Sequence, residues 1–292
     1  MLSPGRITNR TPPALLFLIS GFGQYYGLAL AVGLFASASA TAVAWARIAI
    51  AAVVMIPWRK PWRQRWSHPE WLASAAFGVV LALMNLTFYT AADHLPMGPA
   101  VAIEFIGPIA VAAFTGRGWR MRVGVVLATL GIVLLAGAEV SGGWTRDSVI
   151  GLAAILAAAL CWAIYILLGR SIATARDGVT SLAVGMAVGG VLFAPFFVAA
   201  AAPLFTDWRL LGTIVLVALL SSVVPYSTEQ VIMRRVTAAQ FAVLTALLPV
   251  SATLNGALVL HQIPAITEIV GIVAVCGAIV LSVPRDTGEL SA

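Results

Sequence analysis

Residues 96–110 read PMGPAVAIEFIGPIA. This stretch puts one carboxylate, Glu104, in the middle of an apolar segment about as long as a membrane is thick. An ionised group in hydrocarbon is costly, so an acid kept there faces a protein interior, a watery cavity or a partner charge. Pro99 and Pro108 flank it, and a proline inside a helix frees backbone carbonyls that a ligand or a neighbouring helix can use. The segment reads as a membrane helix lining a solute path.

Composition agrees. The 292 residues are 61% hydrophobic and only 10% charged, with a mean hydropathy of +1.00. A soluble domain carries about 25% charged residues. Apolar runs recur along the whole length, so the chain reads as an all-α integral membrane protein with no separate soluble domain. The excess of basic residues (17 against 11 acids) lies in short loops rather than on one patch, which argues for a topology signal and against a nucleic-acid partner. Cys161 and Cys276 fall inside expected helices, without metal-ligand spacing, and read as buried small hydrophobes.

Near the start, Arg6, Arg10, an apolar run and then Ala36, Ala38 and Ala40 imitate a cleaved signal. The run from Pro13 to Phe35 is too long for such a core and is retained as the first span. Ten spans are expected, over 13–35, 40–57, 70–91, 96–115, 121–139, 149–169, 178–201, 208–230, 237–258 and 264–283. Fourteen of the seventeen basic residues fall in alternate loops, from Arg6 and Arg10 to Arg285. Arg146 and Arg209 alone occupy the opposite set, and Arg47 lies within the second span. Both termini are therefore expected in the cytoplasm.

The halves resemble each other. LPMGPAVAIEFIGPIAV (95–111) followed by GVVLATLGIVLL (124–135) matches VTAAQFAVLTALLPVSA (236–252) followed by GIVAVCGAIVLS (271–282). Aligning Pro108 with Pro249 sets Thr245 opposite Glu104. Five helices per half, an odd number, would place the repeats (13–139 and 149–284) in opposite orientations around a central cavity.

Glu104 and Arg47 are expected at similar depths, where they either pair, fixing helix packing, or each meet one end of a zwitterion. Coupling to protons through Glu104 is a further reading. Asn85 and Tyr89 share a helix face at i and i+4. Trp162 and Tyr165, with Tyr226, add rings that carry one polar atom each, suited to small amphipathic ligands. Glu229 lies five residues from Arg234 and is expected to snorkel to the surface. Trp58, Trp62, Trp66 and Trp71 read as belt or loop residues, and His68, His94 and His261 as solvent-facing. Gly23/Gly27 and Gly185/Gly189 permit close helix approach. The one lysine, Lys60, precedes Pro61, so there is no P-loop; HExxH, paired CxxC and GxSxG are also missing. No cofactor is indicated, ATP-driven transport within this chain is excluded, and an enzyme is unsupported.

Three stretches resemble the drug/metabolite transporter superfamily, EamA type. They are P-x-G-x-AVA-x-EF-x-GP at 96–108, CWAIYIL-x-G at 161–169 and PYS-x-E at 225–229. Within it they look most like inner-membrane amino-acid exporters of the threonine/homoserine group, with aromatic amino-acid exporters as relatives. The resemblance implies ten helices in two inverted EamA repeats and export of an amino acid from the cytoplasm by alternating access. The residues read above, Glu104, Arg47, Asn85, Tyr89, Trp162, Tyr165 and Tyr226, are the expected lining of the substrate site. Leu248, His261 and Gln262 depart from the pattern, at positions where relatives often carry acids or glycine. Drug or other-metabolite efflux, an intramembrane enzyme on lipid-linked substrates and a facilitative channel are the alternative readings.

Overall fold

The computed structural model describes residues 11–95, 100, 103–136, 146–248, 250–251 and 266–282, and among these all regular structure is helical. The segments are α1 (Pro13–Gly33), α2 (Ala40–Arg59), α3 (His68–His94), α4 (Ile106–Thr115) and α5 (Trp119–Ala136). They continue as α6 (Arg146–Ala175), α7 (Gly178–Ala201), α8 (Trp208–Arg235), α9 (Ala238–Leu244) and α10 (Ile266–Ser282). A one-turn helix, Pro203–Thr206, joins α7 to α8. Six of these, α1, α2, α3, α6, α7 and α8, are long and apolar enough to cross a membrane. Pro96, Pro99, Pro249 and His261 lie outside the described residues, as do parts of the fourth and ninth expected spans.

Local chemistry sets the helix ends. Pro12 and Pro13 open α1, where a missing N–H is harmless. Ser39 caps α2, accepting from the Ala42 N–H at 3.3 Å. Ser67 with Glu70, and Thr237 with Gln240, form capping boxes at α3 and α9. Lys60 ends α2 in the left-handed region, φ 49°, and hands the chain to Pro61. α8 contains a π turn at Leu219–Val223, just before Pro225. One extra residue in a helix rotates everything after it by about 100° relative to what precedes it.

Packing holds the segments in one bundle. α3 lies along α6 and α7, α2 along α7, and α5 along α10; α4 meets α9 and α6, and α8 meets α1, α2 and α6. α1 is fully part of the bundle: Phe17 packs edge-on against Phe241 of α9, ring centroids 5.4 Å apart. Gly78 and Gly185 let α3 and α7 touch backbone to backbone, since a Cβ on Gly78 would sit 1.9 Å from the Gly185 carbonyl oxygen. Trp45 Nε1 donates to the Gly190 carbonyl at 2.8 Å and pins α2 to α7.

One expectation is corrected. Cys276 is exposed, and Cys161 is only half-buried at the edge of the core it packs against. Trp66 is a loop residue, one of the two expected readings: its indole donates to the Pro61 carbonyl at 2.9 Å and lies under the Arg176 guanidinium, 3.4 Å from the ring centroid.

Candidate functional site

A cavity of about 80 Å³ lies between the helices. α1 contributes Gln24, Tyr25 and Leu28; α2, Arg47; α3, Met84, Asn85, Phe88 and Tyr89. Glu104 and Phe105 come from the turn before α4, Trp162 from α6, Tyr226 and Glu229 from α8, and Leu248 from beyond α9. Of the residues singled out in the sequence, Glu104, Arg47, Asn85, Tyr89, Trp162 and Tyr226 line this cavity. Tyr165 stands behind the wall, fully buried.

Arg47 is buried, 4% exposed, at the end of a polar chain. Its Nη2 donates to Asn85 Oδ1, and its guanidinium lies over the Tyr89 ring, 5.1 Å from the centroid. Asn85 Nδ2 donates to the Leu81 carbonyl at 2.8 Å and approaches the Tyr226 hydroxyl at 3.1 Å. Tyr226 packs edge-on against Tyr165, centroids 5.8 Å apart, and the Tyr165 hydroxyl donates to Glu229 Oε2 at 2.7 Å. Phe77 stacks on the other side of Tyr165, and Phe105 meets Trp162 edge-on at 5.0 Å. A chain of contacts thus runs from the Arg47 guanidinium to the Glu229 carboxylate through Asn85 and Tyr226 on the wall and Tyr165 behind it.

Arg47 and Glu104 do not pair. Among the described residues the ion pairs are Arg59–Asp177 and Arg176–Glu70, both near helix ends. Among the described residues, buried Arg47 Nε, Tyr89 Oη and Gln24 Oε1 have no hydrogen-bond partner. Buried polar groups are nearly always paired, so three orphans on one cavity mark where a polar ligand would be held.

Pro108 has no N–H for the carbonyl of Glu104, four residues earlier, and the helix is interrupted at Phe105 before the ladder resumes. α9 is interrupted at Thr245–Ala246, the positions aligned with Glu104 and Phe105. Glu229 does not reach the surface: it is 6% exposed and turned inward, because the π turn and Pro225 re-aim this half of α8. Its spacing from Tyr226, i and i+3 on one face, was the available sign. Phe88, Met84 and Phe105 carry no sequence signal separating them from packing residues. Two carboxylates line the cavity, and no group of three metal-ligating side chains occurs among the described residues.

Residues 149–283 match the EamA-like transporter family. The threonine/homoserine exporter RhtA of Salmonella typhimurium (strain SL1344) is 33% identical over 266 residues, covering 91% of this chain and 89% of that protein. The chain belongs to the EamA-like transporter family. RhtA of Escherichia coli (strain K12) is 34% identical over 252 residues, 86% of this chain and 84% of its own. A solved crystal structure with 20% identity superposes with a TM-score of 0.69 over 92% of this chain and 95% of that one, a likeness of fold. The chain is therefore a multi-pass membrane protein of the drug/metabolite transporter superfamily, in its amino-acid exporter group.

Proposed function

We propose that this EamA-type transporter exports small amino acids, threonine- or homoserine-like or with a hydrophobic side chain, from the cytoplasm across the inner membrane. The observation that carries the reading is the cavity itself, with a guanidinium at one end and carboxylates facing it along an aromatic wall. The substrate carboxylate goes to Arg47, whose Nε has no partner among the described residues; the ammonium goes to Glu104 or Glu229, with Gln24 Oε1 as a further acceptor. The names of the relatives at 33–34% identity support this choice. So does size, since pockets for drug-sized ligands run to about 300 Å³ or more.

Transport proceeds by alternating access of two inverted five-helix repeats, 13–139 and 149–284, with both termini in the cytoplasm. Helix pairing supports the repeats. Advancing each helix number by five turns α3·α6 into α8·α1 and α3·α7 into α8·α2, and all four pairs are in contact. α2·α7, α4·α9 and α5·α10 map onto themselves and are in contact as well. The matched breaks before Pro108 and Pro249 agree.

Counterflow in proteoliposomes tests the function, with unlabelled threonine, methionine or phenylalanine inside and the labelled compound outside. Transient accumulation is expected with at least one of them. A flat trace for the whole panel, in vesicles holding folded protein, would reject amino-acid export; resistance to cationic dyes would then point to drug efflux.

A further inference from the structure

Three charged side chains line the cavity and their signs do not cancel: Arg47 against Glu104 and Glu229. Among the described residues neither carboxylate lies within ion-pair distance of a cation, and the partner of Glu229 is the neutral hydroxyl of Tyr165. The ionisable groups around Glu229 are Tyr165 on α6 and Tyr226 on its own helix. Across the cavity stand Tyr25 on α1, Arg47 on α2, Tyr89 on α3 and Glu104 before α4. α7 and the described part of α9 place none in the lining. Arg170, further along α6, has a buried Nη1 without a partner among the described residues and is not part of the lining.

An uncompensated charge held out of water is strongly unfavourable. Resting on the amino-acid reading above, we propose that the empty site carries one proton on its two carboxylates and therefore sorts ligands by net charge. A zwitterion brings one charge of each sign, leaves the balance unchanged and binds with the proton in place. A ligand with an ammonium and no carboxylate supplies the missing positive charge instead. The carboxyl O–H bond then breaks, the proton leaves for bulk water, and the ammonium takes its place beside the carboxylate. Neutral amino acids accordingly cross without net proton movement, while amines and basic amino acids exchange for one proton.

The test uses the full-length protein in proteoliposomes and threonine counterflow. The probe is threoninol, the amino alcohol that keeps the threonine ammonium and side chain but lacks the carboxylate. Between about pH 6 and 8, half-saturation by threonine is expected to move less than about twofold. Over the same range the half-inhibitory threoninol concentration is expected to fall by up to about tenfold per pH unit, the signature of competition with one proton. E104Q and E229Q each leave one acid against one base and should flatten the threoninol profile. The thermal midpoint in detergent reports that each variant is folded. If either variant loses counterflow the other carries the test, and if both do, the wild-type profile decides. A threoninol profile that is flat in the wild type overturns the proposal, as does threonine uptake driven by an imposed pH gradient. No threonine counterflow in the wild type would sink the export reading itself, and this inference with it.

Discussion

The Tyr165 hydroxyl, on α6, donates a 2.7 Å hydrogen bond to Oε2 of Glu229 on α8, and both residues are buried. A hydrogen bond to a charged group contributes about 1.5–3 kcal/mol, and removing the donor leaves the acceptor unsatisfied. Tyr165→Phe keeps the stacking on Phe77 and removes the hydroxyl that donates to Glu229. We expect it to lower the thermal midpoint in detergent by an amount equivalent to about 1.5–3 kcal/mol. The loss should shrink when Glu229→Gln is already present. Strictly additive effects of the two substitutions would show that the pair is not coupled.

Backbone contact between α3 and α7 depends on the missing side chain of Gly78. A Cβ there would lie 1.9 Å from the Gly185 oxygen and 2.3 Å from its Cα, with no flexible side chain to yield. Overpacking of this kind costs about 1–3 kcal/mol or more. Gly78→Ala should therefore destabilise the protein clearly. Gly212→Ala, with nothing within 4 Å of the added carbon, should be neutral or gain up to about 1 kcal/mol from helix propensity. Comparable midpoints for the two variants would contradict the close approach.

Much of the site was legible because the bilayer makes polar residues expensive. Arg47 and Glu104 stand out as charges inside apolar runs, and Asn85 with Tyr89 as a polar face at helical spacing. Glu229 was misread for a related reason: with Arg234 five residues away, hydropathy favoured the surface. What turns it inward is a π turn whose hydrogen bonding leaves no mark on apolar periodicity. Helix ends followed their caps, yet α6 runs to Ala175, six residues past the expected end at 169, because Ile172 and Ala173 are buried against the bundle. The contacts of Arg59 and Arg176 were invisible, since they join the α2–α3 connection to one more than a hundred residues away.

Arg47 does two things that a lysine cannot do together. Its planar group donates to Asn85 while lying over the Tyr89 ring, and it still presents an unpaired Nε. An ammonium offers a single charged centre without that geometry. Arg47→Lys should fold, as judged by its thermal midpoint, and lose roughly 10- to 100-fold in apparent threonine affinity, about 1.4–2.8 kcal/mol. Counterflow within about twofold of wild type would remove Arg47 from the carboxylate role.

Asp177 ties the α6–α7 connection to the end of α2. It accepts from Arg59, from the Thr180 hydroxyl at 2.8 Å and from the Thr180 N–H at 3.4 Å. Burial pushes its carboxyl up, but the Thr180 hydroxyl and the Arg59 guanidinium outweigh that and hold it below the usual carboxylate range. The sign follows from linkage. A group whose folded value is depressed contributes its full stabilisation above the unfolded value, near 3.9 for Asp, and loses it as pH falls through the folded value. Asp177→Asn should therefore lower the thermal midpoint at neutral pH, and the variant and wild type should converge as pH falls below the usual carboxylate range. The Asp177 side chain is 37% exposed, so high salt should narrow the neutral-pH gap without closing it. A gap that persists undiminished into acid would mean that Asp177 acts through the shape of its N-cap rather than through its charge.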